Sequence, residues 1–98
     1  MNETEARIQE AMNRLLAEIS PETDLTGLQD DHSFHQDLDM DSVDFLRLML
    51  GLEQALGVKI PDGDYTQLST PGGCRRYLKR LLEQRGDPVR GRTDAQVR

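Results

Sequence analysis

The amino-acid sequence predicts an all-α fold: a small bundle of three main helices and one short helix, with a long loop between the first two main helices. Three observations predict it. Apolar residues recur at helical spacing near the start, in the middle and near residue 80. Each of these stretches opens on a residue suited to capping and runs into Gly or Pro at its end. With 98 residues, of which 36% are hydrophobic, the chain makes one domain with a narrow core.

The first helix is expected over 3–19. Ile8, Ala11, Met12, Leu15, Leu16 and Ile19 fall on one face. Asn2 or Thr4 caps its start, and Pro21 helps to end it. Residues 20–41 lack helical periodicity and read as a long loop, pinned to the core by Leu25, Leu28, Phe34 and Leu38. A loop of this length in a small domain is usually functional or disordered, and the pinning residues argue against disorder.

The second helix is expected over 42–57. It carries two apolar stripes: Phe45, Leu48, Leu52 and Leu56 in one, and Val43, Leu46, Met49 and Leu50 beside it. Asp41 is its cap, and Asp44 in the first turn suits the helix dipole. Gly57 fits the left-handed C-terminal position. Gly51 costs about 1 kcal/mol relative to Ala inside a helix, which points to close packing there.

Pro61 ends the Val58–Ile60 stretch, and 62–68 is expected to form one short helical turn ending on Leu68. The last helix starts with Thr70 as cap and Pro71 in the first helical position. Its apolar face is Cys74, Tyr77, Leu78, Leu81 and Leu82, and Gly86 and Pro88 stop it. Residues 1–85 are thus expected to form the domain, and 86–98 a flexible basic tail.

The net charge of −6 is unevenly spread. Residues 30–64 hold nine acids against Arg47 and Lys59, whereas 74–98 hold eight bases against three acids. An acidic middle repels nucleic acid and anionic membrane and steers basic partners inward. The C-terminal arginines lack the interleaved aromatics of a nucleic-acid site, so a solvated face, or pairing with the protein's own acids, is expected. With one cysteine there is no internal disulfide, and no apolar run reaches membrane-span length. A cytoplasmic monomer is expected. So small a core leaves little room for a deep catalytic cavity, which disfavours an enzyme.

Ser42 is the candidate for chemistry. A serine at a helix start is most often a cap, but Asp41 can take that role and leave the Ser42 hydroxyl facing solvent. The second stripe leaves two readings open: a central buried helix, or an exposed strip of Val43, Leu46 and Leu50 beside Ser42 that serves as a docking surface. Asp37, Asp39 and Asp41 imitate the start of a calcium-binding loop. Ser42 and Leu48 then stand where Gly and Glu are required, so the loop fails and no metal site is expected. His32 and His35 read as solvated loop histidines, and Cys74 as a buried, inert thiol.

The stretch 38–78 resembles the acyl carrier protein family without a gap. The resemblance rests on Asp41-Ser42-Val43-Asp44, Leu52-Glu53, Gly57-Val58-Lys59-Ile60-Pro61-Asp62, Thr70 and Tyr77-Leu78. The four-residue motif alone is weak; followed at the right distance by Ile60-Pro61, it is specific. The resemblance implies an acyl-carrier-like four-helix bundle that catalyses nothing itself. By match of motif, Ser42, flanked by Asp41, Val43 and Asp44, would receive 4'-phosphopantetheine from a separate phosphopantetheinyl transferase. The arm would carry acyl groups as thioesters to acyl-processing enzymes of fatty acid, specialised lipid or polyketide synthesis. Docking would fall to Asp39, Val43, Leu46, Arg47, Leu50 and Glu53.

The sequence departs from the family pattern at a few places. Val43 stands where Leu is usual, Arg47 where an acid is typical, Gln54 where another acid is frequent, and Arg75 where an apolar residue is common. These departures favour a specialised carrier over the housekeeping one. The alternatives are an aminoacyl or peptidyl carrier, or an unmodified helical interaction module.

Overall fold

Asn2, of the two candidate caps, opens the first helix. Its side chain accepts from the Glu5 N–H at 2.8 Å, and the Glu5 carboxylate accepts from the Asn2 N–H at 3.1 Å, a reciprocal box that satisfies two free donors. A computed structural model describes residues 2–22 and 25–85. Its α-helices are α1 (Glu3–Ile19), α2 (Phe34–Asp37), α3 (Ser42–Leu56) and α4 (Pro71–Arg85), with 3-10 turns at Leu25–Gly27 and Asp62–Leu68. The expected tail, 86–98, lies outside the described residues.

α1 packs against both α3 and α4. Ile8, Met12 and Leu16 of α1 meet Leu48, Met49 and Leu52 of α3 and Leu78 of α4 in one fully buried cluster. Burying each such side chain stabilises the fold by roughly 1.5–3 kcal/mol. Gly51 lets α1 come close: a Cβ there would lie 2.6 Å from Leu15 Cδ2. Gly57 ends α3 in the left-handed region, at φ 68°. Thr70 caps α4, its Oγ1 accepting from the Gly73 N–H at 3.0 Å.

The long segment between α1 and α3 is more ordered than its composition suggests. Ser33 Oγ accepts from the Gln36 N–H at 3.2 Å, and Asp37 Oδ2 accepts from the Ser33 N–H at 2.5 Å. These local bonds hold α2, a single helical turn where a loop was expected. Phe34 and Leu38 pin it as anticipated, Leu28 is half-buried, and Met40 is a further buried anchor. The Leu25 side chain lies outside the described atoms.

Arg75 ties this segment to α4. Its guanidinium pairs with Asp30 and donates to Gln9 Oε1, the latter at 3.0 Å. The Gly72 N–H donates to the Asp30 carbonyl at 2.9 Å. An arginine at a position where an apolar residue is common thus serves the protein's own acid. Lys79 and Glu5 make a second tie at 2.9 Å, which lowers the Glu5 carboxyl pKa and raises that of Lys79.

Beyond α3, Glu53 Oε2 accepts from the Ile60 N–H at 2.6 Å, folding Val58 and Ile60 into the core. The Asp62–Leu68 turn follows, its Leu68 fully buried as expected. Two proton-bearing groups close the far side. Burial pushes the Cys74 thiol up to about 12. Burial, with the 2.7 Å bond that its hydroxyl donates to Asp64, pushes Tyr77 up to about 12.

Candidate functional site

The site is built at the start of α3. Asp39 sits in the left-handed region at φ 55°, which an aspartate tolerates better than most residues. Met40 next to it is buried in the core, and its N–H donates to the Phe34 carbonyl at 3.1 Å. Asp41 is extended, and its Oδ1 accepts from the Asp44 N–H at 2.8 Å. The cap role falls to Asp41, and Ser42 becomes the first helical residue. It is exposed, and no described residue engages its hydroxyl. In the first turn the Ser42 and Val43 N–H groups have no acceptor within the helix, and the dipole favours an anion in front of them.

The two stripes of α3 separate except at Met49, which belongs to the second stripe by spacing but is fully buried. Phe45, Leu48, Met49, Leu52 and Leu56 are core. Val43, Leu46 and Leu50 are 58%, 43% and 46% exposed, and Arg47 stands among them. Of the two readings left open by the pattern, α3 is central on one side and bare on the other. Asp39 and Asp41 are exposed near its start, and Asp44 is half-buried. Glu53 is half-buried, with one oxygen held by Ile60.

A cleft of about 420 Å³ opens beside Ser42. Phe45 and Leu46 form its α3 side, and Tyr65, Thr66 and Ser69 face them from the 62–69 segment. His35 closes one end. Its ring lies 4.9 Å from that of Phe45, and its Nδ1 lies 3.0 Å from the Met40 carbonyl oxygen. His35 is exposed, as expected of a solvated histidine, but it stands on α2 rather than in a loop, and α2 turns its ring onto Phe45. His32 also has a partner, since its Nδ1 accepts from the Gln29 N–H at 3.1 Å. Burial and the acids Asp62 and Glu53 raise the Tyr65 phenol.

The arrangement suits a phosphodiester arm: a free exposed hydroxyl, two unspent N–H groups, and an apolar-walled cleft within the arm's reach. A family model described as a phosphopantetheine attachment site matches residues 6–78. The chain belongs to the acyl carrier protein family. The carrier is 37% identical over 73 residues to an acyl carrier protein of Lactobacillus johnsonii, covering 72% of this chain and 91% of that one. It is 37% identical over 84 residues to a meromycolate extension acyl carrier protein of Mycolicibacterium smegmatis, with 81% and 83% covered. A protein of the same name from Mycolicibacterium aurum is 38% identical over 74 residues, with 70% and 74% covered. The protein is thus an acyl carrier with a domain for covalent 4'-phosphopantetheine, and its relatives work in lipid synthesis. No helix among the described residues is long and apolar enough to cross a membrane.

The cleft's far wall was not read from the sequence as part of a site. Tyr65 and Thr66 belong to a segment anticipated only as a short helical turn, and Ser69 follows it. A signal for His35 did exist: Ser33-x-x-Gln36 is the capping pattern of a helix start, and a helix there fixes the ring's direction.

Proposed function

We propose that Ser42 is the attachment serine and that this carrier serves a specialised lipid or polyketide-like synthesis. One observation carries the assignment: Ser42 is exposed, with its hydroxyl unengaged, at a helix start that Asp41 already caps. The Ser42 and Val43 N–H groups and the α3 dipole favour the phosphodiester by up to about 2 kcal/mol. Asp44 sets the first turn through its N–H bond to Asp41. When attached, the arm supplies a thiol that holds the acyl group as a thioester. The carrier catalyses no step; a phosphopantetheinyl transferase adds the arm, and acyl-processing enzymes act on the cargo. Residues 1–85 are the working unit, acting as a monomer in the cytoplasm.

Docking falls to Asp39, Val43, Leu46, Arg47, Leu50 and Glu53. The exposed strip supplies apolar contact, and the acids supply steering towards basic partners. Glu53 contributes only its outer oxygen, because the other is held by the Ile60 N–H. Arg47 calls for an acid on the partner opposite it, which favours enzymes other than those of housekeeping fatty acid synthesis. Two of the relatives are named for meromycolate extension, which fits a carrier used for an unusual lipid.

The test is the intact mass after incubation with coenzyme A and a broad-specificity phosphopantetheinyl transferase, with Ser42→Ala beside it. A gain of one phosphopantetheine in the native protein and none in the variant is expected. No gain with several transferases, on folded protein, would leave an unmodified interaction module.

A further inference from the structure

An aromatic ring lines the cleft beside Ser42. Phe45 is only 7% exposed, and it forms part of the cleft's wall. Three other rings hold it: Phe34 at 6.3 Å, His35 at 4.9 Å, and Tyr65 edge-on at 6.0 Å. Tilted and edge-to-face pairs at such separations are favourable, so each restrains the ring's swing. His35 is itself anchored at the Met40 carbonyl.

Away from the cleft the core is sealed from solvent. Leu48, Leu52, Leu68 and Leu78 are all 0% exposed, and none of them lines the cleft. A chain reaching past Phe45 would have to part these contacts, and interiors at crystal-like density resist the insertion of even a few methylenes. The opening in front of Phe45, about 420 Å³, is by contrast already the size of a small-ligand site. Its walls are apolar and aromatic, and Thr66 and Ser69 stand at its polar side.

We infer that Phe45 is a chain-length stop: the cleft beside Ser42 shelters short acyl groups, and the ring bars long saturated chains from the bundle's interior. This rests on Ser42 carrying the arm. A long chain on this carrier stays outside, against solvent and the exposed strip of α3. The cargo class is then a short acyl group.

The experiment loads the unmodified protein from coenzyme A, hexanoyl-coenzyme A or hexadecanoyl-coenzyme A with a broad-specificity transferase. Loading is followed by intact mass. Each product is then melted and run on a hydrophobic-interaction column. The hexanoyl form is expected to melt about 4 °C or more above the form with a bare arm. The hexadecanoyl form is expected to show no such rise and to elute much later.

Phe45→Ala, and the milder Phe45→Val should the first not fold, are expected to give the hexadecanoyl form its missing rise and an earlier elution. A native hexadecanoyl form that melts as high as the hexanoyl form and elutes with the bare-arm form would overturn the inference. So would a hexanoyl form with no rise, or hexadecanoyl behaviour unchanged in the folded variant. Absence of any mass gain is a different result: it removes the Ser42 assignment itself, and this inference with it.

Discussion

The two sides of α3 present opposite surfaces. Towards α1, Leu48, Met49 and Leu52 are sealed, and Gly51 lets Leu15 press against the backbone. Towards solvent, Val43, Leu46 and Leu50 are bare, and the cleft opens beside them. One helix of apolar residues thus does two jobs. The sealed side holds the bundle together, and the bare side is available to partners and cargo. Substitutions on the two sides should therefore separate stability from function.

The strongest way to probe the sealed side is alkali. The Cys74 thiol is raised from 9.0 to about 12, and the Tyr77 phenol from 10.0 to about 12, each chiefly by burial. In the folded protein each group keeps its proton to higher pH than in the unfolded chain. Their contribution is whole below pH 9 and drains away as the pH rises towards about 12. The urea midpoint should fall steadily over that window, and more gently in Tyr77→Phe. A flat profile would mean that these groups are not sealed.

Next in size is Leu52→Ala, which should cost about 2–5 kcal/mol in urea unfolding, since it empties the space between α1 and α3. A cost under about 1 kcal/mol would break the contrast between the two sides, because surface changes are of that order. Asp41→Ala sits at the boundary. Removing the cap should cost about 1 kcal/mol and slow arm loading, read by urea titration and by the time course of mass gain. Full loading speed would separate the cap from the site.

The smallest effect on stability belongs to the bare side. Leu50→Ala should change it by no more than about 0.5 kcal/mol while slowing turnover of the loaded carrier by its partner enzymes. Unchanged turnover would sharpen the comparison differently, confining docking to Val43, Leu46 and the acids near Ser42.

Much of this was legible beforehand, and the reason is locality. Helix caps are bonds across three residues, so Asp41 and Thr70 could be named from neighbours alone, and Asn2 narrowed to one of two candidates. Gly57 and Pro71 act through their own backbone geometry. α2 was missed although its Ser33-x-x-Gln36 signal was present, because one helical turn carries no apolar periodicity. The direction of the His35 ring, which depends on that turn, was hidden for the same reason. Asp39 at φ 55° gave no sign in the sequence, since an aspartate in an acidic run fits many conformations.

By itself the sequence determined the three main helices, their ends, the core face of α1 and the motif around Ser42. These rest on spacing along the chain and on bonds between near neighbours. Only the tertiary structure decided which stripe of α3 is buried, that Arg75 serves Asp30, and that His35, Phe45 and Tyr65 enclose a cleft beside Ser42. Those outcomes depend on where α1, α4 and the 62–69 segment come to rest against α3, and contacts between segments distant in sequence leave no period in it to read.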